Sequence, residues 1–198
     1  MREIIRRIMT KPFLIIVTGR PGSGKTTFSQ ALGNRLFLPV ISRDALKEGY
    51  VHTFRKKHND LPSNTNKLVT DLFFQTILNL LKNNVSLIAE AAFQHNVWEP
   101  CLEPHGKVAD IYIFICHIGP RKAKERYLKR GLDDPTREYF HGDKAVQDAR
   151  AGKKMVIAEY ETPKLSYPTI LIDTTDNYIP SIDEIKVMIS GKLWSPGL

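Results

Sequence analysis

The clearest chemistry in this chain lies in Gly19-Arg20-Pro21-Gly22-Ser23-Gly24-Lys25-Thr26, which spells G-x-x-x-x-G-K-T. Glycines at these places let backbone N–H groups turn inward around an anion, and a helix starting just after them adds its positive end. Lys25 then reaches the β- and γ-phosphates of a nucleotide, and the Thr26 hydroxyl is placed to ligate Mg²⁺. Gly19 to Thr26 together with Thr27 make up the predicted nucleotide-binding set, with ATP and Mg²⁺ as its ligands. Chance produces this pattern in on the order of 1% of chains, so its surroundings decide. It needs a buried strand before it and a helix after it.

Other candidates are single residues. Asp44 follows a short strand-like run and Glu90 closes another, which places both at the carboxyl edge of a sheet, where open α/β folds bind ligands. Asp is also a favoured helix cap, and a glutamate at a strand end is often simply solvated. Arg43 reads equally as an acceptor contact or a surface residue. Between 120 and 131, Arg121, Lys122, Lys124, Arg126, Lys129 and Arg130 face Glu125 alone. Arg126 and Arg130 are four apart, hence on one helical face; a solvated basic face is the bland alternative. Arg137 is a weaker third arginine. The six histidines show no H-x-x-x-H or Cys/His pairing, which leaves structural zinc unsupported. Trp98 and Trp194 read as packing.

The elements that must carry these residues alternate along the chain. Phe13–Thr18 is continuous, branched and apolar, as a central parallel strand covered on both faces should be. Further strands are predicted at 39–42, 85–89, 109–116 and 169–172. Helices are predicted at 25–37, from 44 to 50, and at 68–81, where apolar residues recur at helical spacing. Others fall at 121–130, 144–160 and 182–189. Residues 51–66 are polar and read as a connecting loop, and Gly131, Pro135 and Gly142 break the pattern between 131 and 142. Strand and helix alternating throughout predicts a parallel five-stranded sheet between two helical layers, in one domain spanning 1–198.

Composition bounds the rest. The chain has 198 residues, 42% hydrophobic and 25% charged, enough for a sizeable core. The longest apolar runs, 13–17 and 111–116, are far short of the roughly 18 residues a membrane span needs. The basic, apolar start copies a secretory leader but runs into the glycine-rich loop where a cleavage site would stand. Two cysteines cannot make a disulfide framework, so a reducing, cytoplasmic setting is expected. A net charge of +8 favours anionic partners. GTP switching is disfavoured because Asn66-Lys67 is followed by Leu68-Val69 instead of completing N-K-x-D. A mechanical ATPase would carry paired acids where the third strand has Glu90 alone.

The phosphate loop G-R-P-G-S-G-K-T-T, the second strand running into I-S-R-D-A-L-K-E, the third ending L-I-A-E-A-A-F and the segment E-R-Y-L-K-R resemble the small P-loop kinases. That group includes the 5′-hydroxyl polynucleotide kinases and chloramphenicol phosphotransferase, and the resemblance runs from about Phe13 to Thr175. It implies a P-loop nucleotide-kinase-like three-layer fold with a small helical lid at about 121–142. It also implies roles: Asp44 accepting the proton of the attacking hydroxyl, Glu90 touching Mg²⁺-bound water or the acceptor, and Arg126 and Arg130 closing over the triphosphate. Polynucleotide kinases carry an arginine three residues after that aspartate, where this chain has Lys47, a point charge in place of a bidentate fork.

The predicted activity is transfer of the γ-phosphoryl group of ATP, with Mg²⁺, to a hydroxyl of a small molecule. Two alternatives stand beside it: a polynucleotide 5′-hydroxyl kinase, and a nucleotide-gated binding module without transfer. Much of the excess positive charge falls in the lid and is assigned to ATP, leaving Arg55, Lys56 and Lys57 as the compact basic cluster available to nucleic acid. The small acceptor is therefore favoured, with no membrane partner.

Overall fold

The computed structural model describes residues 11–153 and 160–193. Five strands, β1 (Phe13–Thr18), β2 (Val40–Ser42), β3 (Leu87–Glu90), β4 (Asp110–His117) and β5 (Thr169–Asp173), form one parallel sheet in the order β2-β3-β1-β4-β5. Its helices are α1 (Lys25–Leu36), α2 (Arg43–Phe54), α3 (Thr65–Lys82), α4 (His95–Gly106), α5 (Pro120–Asp133), α6 (Thr136–His141), α7 (Lys144–Arg150) and α8 (Ile182–Leu193).

Strand alternation divides the core in two. Leu14 and Ile16 of β1 face one side, with Phe73, Ile77 and Leu81 of α3 and Trp98 and Leu102 of α4. Ile15 and Val17 face the other, with Phe28 and Leu32 of α1 and Ile185 and Ile189 of α8. The predicted three-layer α/β architecture with five parallel strands is what the chain forms. Register then matters for the site. Val17 lies opposite Glu90, and Glu90 opposite Ser42, so three strand ends arrive level at one edge.

Several elements depart from the sequence reading. Helix α2 continues to Phe54, and a 3₁₀ turn forms at His58–Asp60, so the polar stretch is only partly loop. Its polarity reflects an outward face, since only Lys47 and Val51 of α2 are buried. Helix α4 was not predicted: Pro100 and Pro104 lie inside it and argue against helix locally. Burial of Trp98, Leu102 and His105 at helical spacing outweighs that preference. The glycine and proline breaks of 131–142 delimit a helix, α6, instead of forming a loop. Helix α7 ends at Arg150, short of the predicted 160; 154–159 lie outside the described residues. No described helix is long and apolar enough to cross a membrane.

Candidate active site

The loop between β1 and α1 turns on a hydrogen bond from Ser23 N to Arg20 O of 3.1 Å. Gly22 has φ +80°, and a Cβ there would overlap the Ala123 carbonyl oxygen, so α5 packs directly against the loop backbone. Gly24 precedes α1 without offering a side-chain cap. The N–H groups of Lys25, Thr26 and Thr27 in the first turn consequently have no intrahelical acceptor. The Ser23 hydroxyl is buried with no hydrogen-bond partner among the described residues. These unspent donors are what an anion at the loop would satisfy.

Lys25 is buried, 7% exposed. Its ammonium donates to Arg20 O at 3.1 Å. Burial pushes its pKa below the usual lysine value, opposed first by the negative field of Glu90. Glu90, the last residue of β3, is also buried. Ser42 Oγ donates to its Oε2 at 2.8 Å, and Thr26 Oγ1 lies 3.5 Å from the same oxygen. Burial raises the Glu90 pKa, against the lowering effects of Lys25 and the Ser42 bond. Glu90 is therefore not the solvated strand-end glutamate considered from sequence.

Asp44 stands in the first turn of α2. Ser42 occupies the N-cap position, its hydroxyl facing Ala45 N at 3.5 Å, so Asp44 is not the cap. Its carboxylate is 56% exposed with Arg43 Nη1 at 3.5 Å. Burial of the surrounding cleft acts to raise its pKa, but His141, Arg43, Lys25 and Lys47 outweigh this and hold the carboxyl below the usual range. Lys25 and Asp44 lie near enough for each charge to act on the other, which brings the aspartate close to the phosphate loop. Arg43 is anchored rather than free, with Nη2 donating to Asn66 Oδ1 at 3.0 Å.

The two arginines of α5 separate. Arg126 spends its guanidinium on main-chain oxygens after β5, at 2.9 Å to Thr174 O and 2.6 Å to Thr175 O. Arg130 is exposed beside Arg137, within the fields of Asp44 and Asp143; partial loss of solvation and the field of Arg137 hold its pKa below the usual value. Gly22, Gly24, Thr27, Arg126 and Arg130 line a cleft of ≈ 470 Å³ whose far wall is Thr174, Asp176, Asn177 and Tyr178. Sequence reasoning missed that wall. The signal was present: the segment follows the carboxyl end of a parallel strand, the ligand edge of such sheets. Thr174 is tied to the loop, its hydroxyl 2.6 Å from Ser23 O. Pro21 is exposed, and Arg20 is partly buried.

Residues 14–152 match the profile of a family described as AAA domain, well over half of the chain. The chain belongs to this AAA domain family. A UPF0200 protein of Sulfurisphaera tokodaii is 27% identical to it over 125 residues, 62% of this chain and 69% of the relative. Among solved structures, a candidate kinase from Chloroflexus aurantiacus J-10-fl is 25% identical with a TM-score of 0.72, covering 93% of this chain and 97% of the other. The APS kinase of Mycobacterium tuberculosis, solved with AMPPNP and APS, is 18% identical with a TM-score of 0.57; the alignment covers 93% and 99%. At that identity the likeness is one of fold. The AAA domain chain thus has P-loop kinases as its structural neighbours, as the resemblance in the sequence implied, and a phosphotransferase in general is supported.

Proposed function

We propose that this protein transfers the γ-phosphoryl group of ATP to a hydroxyl of a small acceptor. The observation that carries the reading is Asp44, released from capping by Ser42 and near enough to buried Lys25 for each charge to act on the other. In the step, the acceptor oxygen bonds to the γ-phosphorus as the bond from that phosphorus to the β–γ bridging oxygen breaks. Asp44 takes the hydroxyl proton, and ADP and a phosphoester leave. Lys25 and Arg130 offset negative charge on the transferring group, while Arg126 holds the nucleotide-side wall. The loop N–H groups and the orphan Ser23 hydroxyl bind phosphate oxygens.

Thr26 and Glu90 fit a magnesium ion. Among the described residues no cluster of His, Cys, Asp and Glu forms a metal cage, and Mg²⁺ in such sites relies on a hydroxyl, water and phosphate instead. When bound, it neutralises charge shared between the β- and γ-phosphates. Helices α5 and α6 act as the lid, within one catalytic domain, and the free Cys101 and Cys116 suit a reducing compartment.

The test is acceptor-dependent ADP release from ATP across sugars, nucleosides, antibiotics and 5′-hydroxyl oligonucleotides. Stimulation by a small compound, lost in Lys25→Ala, is expected. AMPPNP binding without stimulation by any acceptor would overturn it in favour of a nucleotide-gated module. Transfer confined to oligonucleotides, with a log–log salt slope of several units, would make the protein a polynucleotide kinase.

A further inference from the structure

Thr18 ends β1 immediately before Gly19 and is fully buried, yet its hydroxyl has three polar neighbours. Trp98 Nε1 lies 3.1 Å from Thr18 Oγ1, the Phe93 carbonyl oxygen 3.3 Å and the Tyr160 hydroxyl 3.4 Å. A threonine hydroxyl offers one hydrogen and two lone pairs. An indole N–H only donates and a carbonyl only accepts, so Thr18 gives its hydrogen to Phe93 O and takes one from Trp98. The lone pair left over settles the third bond: Tyr160 donates to Thr18.

With the Tyr160 hydrogen committed, its oxygen is an acceptor. The donor acting on it is the main-chain N–H of Gly19, the first residue of the phosphate loop. Burial holds the Tyr160 pKa above the usual tyrosine value, against the lowering effects of the Thr18 bond, the Arg20 charge and the Gly19 N–H, so the side chain stays a neutral donor. The bonds then run from Gly19 N–H to Tyr160 O–H to Thr18 O–H to Phe93 O. All point the same way, and such runs polarise and strengthen their members.

The backbone at this point has little slack. Gly19 has φ +146°, and a Cβ there would overlap Cys116 O and Ser23 Oγ, which wedges it between the end of β4 and the loop's own interior. Arg20 follows, and its carbonyl oxygen receives both Ser23 N and Lys25 Nζ at 3.1 Å. Tyr160 comes from the segment between α7 and β5, far along the chain, and anchors the loop just ahead of the carbonyl on which Lys25 rests. It does not line the cleft of ≈ 470 Å³, so its hydroxyl acts on the loop and not on a ligand there.

We infer that Tyr160 is a positioning residue of the nucleotide site, its hydroxyl holding the entry of the phosphate loop in the shape that receives phosphate. Its part in phosphoryl transfer rests on the proposed function; its hold on the loop rests on the hydrogen bonds alone.

Tyr160→Phe keeps the ring and removes the hydroxyl. Calorimetric titration of AMPPNP should show binding weakened at least about fivefold, from the bonds lost to Thr18 and from Gly19. KM for ATP should rise in step while kcat stays within about twofold, because a bound triphosphate itself holds the loop. Thr18→Val, which removes the shared hydroxyl, should lose as much affinity, and Thr18→Ser, which restores it, should bind close to wild type. The double variant Tyr160→Phe, Thr18→Val should bind no worse than the weaker single one, since both cut the same run of bonds. A lowered Tm with unchanged AMPPNP affinity in Tyr160→Phe, or losses that add in the double variant, would overturn the role and leave Tyr160 as packing. A fall in kcat exceeding the rise in KM would overturn it too. Should Thr18→Val fail to fold, Tyr160→Phe and Thr18→Ser decide between them. Weaker AMPPNP binding in Tyr160→Phe, with no acceptor turnover in wild type, would uphold the positioning role and defeat the phosphotransfer reading instead.

Discussion

Replacing Arg126 with lysine separates two roles that sequence spacing alone assigns together. Its guanidinium makes two bonds from a charged donor, to Thr174 O and Thr175 O. Such bonds contribute about 1.5–3 kcal/mol each, and partial exposure of the side chain favours the lower figure. Lysine can retain one of them, so the loss is about 1.5 kcal/mol. Because Thr174, Asp176, Asn177 and Tyr178 wall the proposed nucleotide cleft, this loss should appear as roughly tenfold weaker AMPPNP binding. Arg126→Ala, losing both, should cost about a hundredfold. Calorimetric titration of AMPPNP into wild type and both variants measures this, alongside kcat with a confirmed acceptor. Arg130→Ala should show the opposite pattern, with kcat lowered more than affinity. Unchanged AMPPNP binding in Arg126→Ala, with kcat reduced as in Arg130→Ala, would refute the division and return both arginines to the transferring phosphate.

Asp44→Asn should lower kcat by about 10²–10⁴-fold with little change in AMPPNP affinity, measured by steady-state kinetics and calorimetry. Because the Asp44 pKa is depressed, its deprotonated form persists below the ordinary aspartate range, about pH 4, so the acid-side fall of kcat/KM should come first from Glu90, whose pKa is raised, and not from the base. Lys25→Ala should reduce kcat at least about 10²-fold while thermal unfolding stays cooperative, since a buried, pKa-depressed ammonium is costly to bury. Gly22→Ala should destabilise the protein by at least about 1–2 kcal/mol, from the left-handed backbone alone, and weaken AMPPNP binding through the clash with Ala123. Differential scanning calorimetry should show a Tm lower by several degrees.

The phosphate loop and β1 were legible because local rules suffice there: an unbroken apolar run, glycines where φ is positive, and a lysine at fixed spacing. The parallel sheet followed from alternation. Helix α4 was hidden because its two prolines speak locally and its buried Trp98 speaks only through packing. Glu90 was ambiguous for a related reason. Its burial depends on strand register, which sets it level with Ser42 and beside Thr26, and no local pattern encodes that. Arg126 and Arg130 line the same cleft, but Arg126 is tied to main-chain oxygens of a loop far along the chain, which spacing on α5 does not encode. The groups around Lys47 were least visible, since His58 and His141 reach it from separate elements and neither belongs to a spacing motif.

The hydrogen bond from Trp98 Nε1 to Thr18 Oγ1, 3.1 Å long, gives the protein a built-in optical reporter. Thr18 is the last residue of β1, immediately before Gly19, so this fully buried indole is one bond away from the backbone that enters the phosphate loop. Tryptophan emission is sensitive to the polarity and hydrogen bonding of its ring. The chain's second tryptophan, Trp194, can be silenced by Trp194→Phe, leaving a single fluorophore tied to the loop. Filling of the proposed nucleotide site could then be followed in real time, unlabelled and without turnover, from the emission of a fully buried residue.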